Sequence, residues 1–227
     1  MYRTIAIGTD GSETASIAER VALELARTSG GRMLFVSVYP DEAGMQRSAD
    51  AVKTAKARAE AAGVAVGTKT MRAEPAEGIV ELADRGDAGL VVVGDGGMGG
   101  RRTLRAGSVP DRVSHSMPCD LLIVRTSKPE RAKPAGEYGS VLIATDGSPT
   151  ADRAARVGAE FARALGAGIT LVHVGDESVG EIVLHDAAER PGDRHMPIKI
   201  LKAMRAMRSR SSPTRRVTTS SSSATRG

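Results

Sequence analysis

The chain is predicted to be an α/β protein built on a doubly wound, five-stranded, mostly parallel sheet, followed by an incomplete second copy. Three observations lead there. Short β-branched runs alternate with longer stretches of helical period, the pattern of parallel strands joined by crossover helices. Hydrophobic residues make up 41% of the 227 positions, yet aromatics only 2%. A core of Val, Ile, Leu and Ala suits strands buried on both faces. Finally, the chain repeats itself: Tyr138–Val174 aligns without a gap on Tyr2–Val38, with about 17 identities in 37 positions.

The elements follow in order. Thr4–Gly8 is expected as the first strand, and Glu13–Thr28 as an amphipathic helix stopped by Gly30-Gly31. Met33–Val38 is the second strand, and an Ala/Lys-rich helix near Met45–Ala62 follows, closed by Gly63. Val64–Met71 is strand three, and Ala76–Arg85 is a helix whose start is marked by Pro75. Leu90–Gly94 is strand four, Ser108–Ser116 the fourth helix with Pro110 in its first turn, and Asp120–Arg125 strand five. The first domain is therefore placed at 1–127 and a Lys/Pro/Gly-bearing linker at 128–137. A truncated second repeat is placed at 138–190; its GEIVLHDAAER run resembles the third helix of the first copy. Residues 191–227, basic, Ser/Thr-rich and without sustained apolar periodicity, are expected to be a disordered tail.

Charge and composition narrow the function. The formal net charge of +5 comes from that tail, where nine basic residues face one acid; residues 1–190 carry 23 basic and 26 acidic residues. A nucleic-acid binder would have to act through the tail, and the scarcity of aromatics for base stacking and the lack of a recognised nucleic-acid-binding fold make that the weakest class. One cysteine, Cys119, permits no intramolecular disulfide and fits a reducing compartment. No apolar run approaches the roughly 20 residues of a membrane span. The opening residues show no signal-peptide pattern, so the expected location is the cytoplasm.

The most informative stretch is VVVGDGGMGGRRTLRAGSVPDRVSHSMPCDLLIV. A buried strand ends at Gly94 and a helix begins at Ser108, with a glycine-dense turn between. Glycines allow positive φ and let backbone N–H groups approach phosphate oxygens without interference from a Cβ. The helix start adds unpaired N–H groups and a positive dipole end. Arg101, Arg102 and Arg105 raise the local positive potential. In open α/β sheets the ligand crevice lies where strand order reverses, so the loops after strands one and four should meet there.

The spacing Gly94-x2-Gly97-x9-Gly107-Ser108, joined to TDGS at Thr9–Ser12 and to the strand ending VSV, resembles the ATP loop of the universal stress protein family. The resemblance covers residues 1–127 and again 138–174, as in tandem members, and implies a Rossmann-like, adenine-nucleotide α-hydrolase-like fold. By that resemblance Gly8, Thr9 and Asp10 would lie beside the nucleoside and Val38 would contact the adenine. Gly94, Gly97, Gly99 and Gly100 would wrap ribose and phosphates, and Gly107, Ser108 and Val109 would hold the phosphates. Each position has a plainer reading: Asp10 and Ser12 as helix caps, Val38 as a core residue, the glycine loop as a structural turn. The implied ligand is ATP, with AMP or a cyclic nucleotide left open, and a divalent metal only with the nucleotide. The family also pairs two units through strand five, which implies a homodimer here through Asp120–Arg125.

No GxxxxGK[ST], HIGH or SGGxDS signature occurs, and His115 and His173 stand isolated. Cys119, at the start of strand five, reads as a packing residue. No nucleophile–base constellation is evident and no catalytic or metal site is assigned. The leading expectation is an ATP-binding regulatory module; the alternative is a weak ATPase or nucleotidyl-transfer enzyme using the same pocket.

Overall fold

A computed structural model describes residues 2–96, 109–125, 138–174, 180–185 and 198–203. It divides into two units, Met1–Glu137 and Tyr138–Gly227. The first contains β1 (Thr4–Gly8), α1 (Glu13–Ser29), β2 (Arg32–Tyr39), α2 (Glu42–Ala61), β3 (Val66–Arg72), α3 (Pro75–Asp84), β4 (Leu90–Gly94), α4 (Val109–Ser116) and β5 (Asp120–Val124). The second contains β6 (Ser140–Ala144), α5 (Pro149–Ala164), β7 (Gly168–Val174) and β8 (Ile198–Ala203).

In the first unit the strand order is β3-β2-β1-β4-β5 and every pairing is parallel. β1 sits between β2 and β4, with Ile5 opposite Met33 on one side and Leu90 on the other. Alternate side chains go to opposite faces. Ala6, Leu34, Val36, Val91 and Val93 meet Ile79, Leu82 and Ala83 of α3 and Val113 of α4. Ile5, Ile7, Met33 and Phe35 are equally buried and point the other way, towards the side covered by α1 and α2. Both faces of β1, β2 and β4 are thus dry, which is why these strands lack polar alternation, whereas β3 at the edge alternates half-buried and exposed residues.

Local chemistry sets the helix boundaries. The Ser12 hydroxyl accepts the Ala15 N–H at 3.1 Å and caps α1, which ends at Gly30 with φ +66°. Asp41 accepts the Gly44 N–H at 3.0 Å, so α2 starts at Glu42, three residues before the start expected from apolar period. Glu74 caps α3 ahead of Pro75. α3 approaches β2 closely at one point: a Cβ on Gly78 would stand 2.9 and 3.0 Å from the two methyls of Val38.

The second unit has a three-stranded parallel sheet in the order β6-β7-β8. β6, α5 and β7 reproduce β1, α1 and β2, and Ser148 caps α5 as Ser12 caps α1. Two features differ from the sequence expectation. The helical residues 180–185 take the place of α2 rather than α3. Val183 lies over Gly147 as Ala51 of α2 lies over Gly11, and Leu184 is buried with Ile143, Ile169 and Leu171. Within the segment assigned to the tail, Ile198–Ala203 pairs in parallel with β7 from Ile169 to Val174. Six residues of the tail are therefore in the sheet, since a strand needs only a short β-branched run and a free neighbouring edge.

Replacing Gly78 with Ala is expected to destabilise the first unit by about 1–3 kcal/mol through overpacking against Val38. Ser12→Ala should cost about 0.5–2 kcal/mol through loss of the cap. Both are read as shifts in the denaturant midpoint; an unchanged midpoint in either variant would contradict the corresponding contact.

Candidate functional site

From β1 the chain winds to one side through β2 and β3, then returns to the other side of β1 for β4 and β5. The carboxyl ends of β1 and β4 are therefore adjacent at the reversal, where an open α/β sheet leaves its crevice. The two loops that the sequence singles out start there. The Thr14 hydroxyl, in the first turn of α1, reaches the Gly96 carbonyl after β4 at 3.5 Å.

The loop after β1 is tightly organised. Thr9 is buried and its N–H donates to the Val36 carbonyl at 2.8 Å, extending the β1–β2 pairing by one bond. Its hydroxyl donates to Glu19 Oε1 at 2.7 Å and accepts the Gly11 N–H at 3.2 Å. Asp10 is half-buried, and its Oδ1 accepts the Ser12 N–H at 2.9 Å, closing an Asx turn. Ser12, rather than Asp10, caps the helix. Gly11 has φ +76°, a conformation L-residues rarely adopt, and its Cα side faces Ala51 of α2. Gly8 is less constrained. A Cβ there would meet Ile79 and Val93 at 3.4 and 3.7 Å, ordinary contact, and the second unit has Ala144 at this position.

Of the remaining expected site residues, Gly94 ends β4 opposite Val124 of β5, and the next N–H, of Asp95, donates to the Val124 carbonyl at 2.9 Å. Val38 lies near the carboxyl end of β2, half-buried and packed on the α3-side core. Val109 opens α4 and packs on the same core. Both side chains therefore contribute to this core. Gly97, Gly99, Gly100, Gly107 and Ser108 lie outside the described residues, as do Arg101, Arg102 and Arg105.

Sequence reasoning missed Glu19. It is buried on the inner face of α1 beside Ala15, Ala22 and Ala26, and its second carboxylate oxygen receives the Arg58 guanidinium from α2. An acid spaced four, three and seven residues from those alanines was the available signal, because that spacing places it on a buried helix face.

The isolated side chains behave as packing or surface groups. His115 is exposed, with Nδ1 2.7 Å from the Asp111 carbonyl of its own helix. His173 is buried, and its Nδ1 donates to the Thr145 carbonyl at 3.0 Å. The Cys119 thiol is half-buried, and burial, then the Asp120 charge, push its pKa up, away from the reactive thiolate. Among the described residues no group of three or more His, Cys, Asp or Glu side chains is placed to hold a metal. No described helix is long and apolar enough to cross a membrane.

The second unit repeats the loop. Gly147 N–H donates to the Thr145 hydroxyl at 3.2 Å and Ser148 N–H to Asp146 Oδ1 at 2.9 Å. Hydrogen bonds from the Ser148 side chain and backbone hold the Asp146 carboxyl below its usual pKa. Ala155 stands where the first unit has Glu19.

Known proteins match both units. The universal stress protein family model matches residues 1–125 and again 137–220, the second match running through the expected tail. A universal stress protein of Thermus aquaticus is 34% identical over 137 residues, 55% of this chain and 100% of its own length. One from Methanocaldococcus jannaschii is 30% identical over 146 residues, 57% of this chain and 86% of its own. A solved universal stress protein from Archaeoglobus fulgidus covers 90% of this chain and 79% of its own with a TM-score of 0.68 at 17% identity, a likeness of fold. With its parallel sheet reversed between β1 and β4, its paired TDGS loops and two matches in sequence order, the chain belongs to the universal stress protein family.

Proposed function

We propose that the chain is a regulatory module of the cytoplasm that takes an adenine nucleotide, ATP first, at the carboxyl ends of β1 and β4. The observation that carries this reading is that the TDGS loop and the first residues of the glycine loop, Gly94–Gly96, leave the sheet together at the reversal, joined by the Thr14–Gly96 contact. In this reading Gly8, Thr9 and Asp10 flank the nucleoside, and Val38 offers an apolar surface to the adenine. Gly94, Gly97, Gly99 and Gly100 wrap the ribose and phosphates, and Gly107, Ser108 and Val109 hold the phosphates at the start of α4. Backbone N–H groups and a helix dipole suit an anion without any catalytic side chain. Thr9 would act through its backbone carbonyl, because its hydroxyl proton is already given to Glu19.

Calorimetry on the full chain with ATP, AMP and cAMP, alongside mass spectrometry of small molecules released from the purified protein, tests this. Saturable ATP binding that is lost in Gly107→Val is expected. No adenosine phosphate bound at millimolar concentration would overturn it. Hydrolysis well above buffer that disappears in the same variant would instead favour an ATPase.

A homodimer through β5 belongs to the same proposal. β5 is the outer strand, bonded to β4 on one side only among the described residues, and Leu121, Leu122 and Ile123 are half-buried. An uncovered apolar edge favours a partner strand. Light scattering at micromolar protein should give a dimer that Leu122→Lys converts to monomer; a monodisperse parent monomer would refute the pairing.

A further inference from the structure

Beneath the β1–α1 loop runs a chain of polar contacts that ends at the surface. Arg58 of α2 is half-exposed; its guanidinium bonds Glu19 Oε2 through Nη2 and the Ser16 hydroxyl through Nη1 at 3.3 Å. Glu19, only 6% exposed, takes the Thr9 hydroxyl proton through its other oxygen. The Thr9 hydroxyl in turn accepts the Gly11 N–H. A cleft of 130 Å³ between α1 and α2, with Phe35 among its lining residues, brings solvent to the Arg58–Glu19 pair.

The geometry points to Glu19 as a positioning residue for the nucleotide loop, held in place by Arg58, so that the surface of α2 bears on the ligand site. The inference rests on the nucleotide reading and deepens it by naming a means of regulation. A hydroxyl has one proton. Since a carboxylate can only accept, Glu19 decides where that proton points and leaves the oxygen lone pairs for Gly11. Hydrogen bonds in such a chain strengthen one another, so a Thr9 hydroxyl polarised by a carboxylate grips the Gly11 N–H more firmly. Gly11 is the residue at positive φ on which the loop turns.

The second unit separates this role from simple loop building. With Ala155 in place of Glu19 it keeps the Gly147-to-Thr145 bond at 3.2 Å and the Asp146 turn at 2.9 Å. The backbone shape therefore does not need the carboxylate. What Glu19 adds is the direction of one proton and a link to α2. A buried carboxylate is costly to keep unless paired and hydrogen-bonded, and in this chain it is both.

Amide hydrogen exchange at Gly11 and ATP calorimetry on the full chain test the proposal in Glu19→Ala, Glu19→Gln, Arg58→Gln and Thr9→Val. Glu19→Ala should speed Gly11 exchange and weaken ATP about tenfold, within the usual range for coupled sites. Glu19→Gln should recover most of the loss, because the amide oxygen still accepts the Thr9 proton. Arg58→Gln should fall between. Thr9→Val, which also removes the acceptor of the Gly11 N–H, should lose at least as much as Glu19→Ala, and the double variant no more than Thr9→Val alone. Gly11 exchange and ATP affinity both at parent values in Glu19→Ala would overturn the proposal. If Glu19→Ala does not fold, Arg58→Gln, which keeps the Thr9 hydroxyl as acceptor of the Gly11 N–H, carries the same two readouts, and parent values of both there would overturn the proposal. If the parent binds no ATP, the nucleotide reading fails, and Gly11 exchange alone decides whether Glu19 positions the loop.

Discussion

Everything in the first unit depends on β1 being hydrogen-bonded in parallel on both sides. Because β2 and β4 flank it, Ile5, Ala6 and Ile7 are almost completely buried and both faces of the sheet must be covered. The same placement makes β1 the point where the winding reverses. Two loops distant in sequence then leave the sheet side by side, at the position where open α/β sheets have their crevice.

Around that crevice the chain spends its polar groups on backbone control. Thr9, Asp10 and Ser12 each satisfy an N–H of the loop or the first helical turn, so the turn into α1 is held by three side chains within four residues. Such a loop is largely preorganised, which lowers the entropy a ligand must remove on binding. The costly element is Glu19. Its charge is tolerated among alanines because Arg58 and the Thr9 hydroxyl together occupy both carboxylate oxygens. That arrangement joins the two helices on one face of the sheet to the loop at its end.

The second unit shows what the shared segment does and does not carry. The strand–helix–strand segment rebuilds the loop, cap and register, with Ser140 opposite Gly168 as Thr4 is opposite Arg32. Burial does not follow. Leu142 is 63% exposed where the matching Ala6 is 1% exposed. In the first unit β4 and the α3–α4 layer cover that position; in the second, no described strand pairs with the outer side of β6. Local geometry is encoded in the repeated residues, whereas burial is conferred by elements elsewhere in the chain.

The alternation of β-branched runs with helical periods, the Gly and Pro punctuation and the internal repeat sufficed to read the parallel α/β class, the order of elements in the first unit and the TDGS loops. These are local properties, set by side-chain period and turn chemistry within a few residues. Tertiary structure decided the rest. α2 begins at Glu42 because the Asp41 carboxylate before it reaches a nearby N–H, a cap that apolar period does not reveal. Residues 180–185 stand in for α2, because helix identity in a sheet protein depends on which strands the helix joins and not on which helix it resembles. Ile198–Ala203 joins the sheet through pairing with β7, a contact between residues far apart in the chain. Glu19 became a buried partner of Thr9 only once α1 packed against both the sheet and Arg58, since whether a charge is paired or solvated is settled by neighbours that sequence spacing does not bring together.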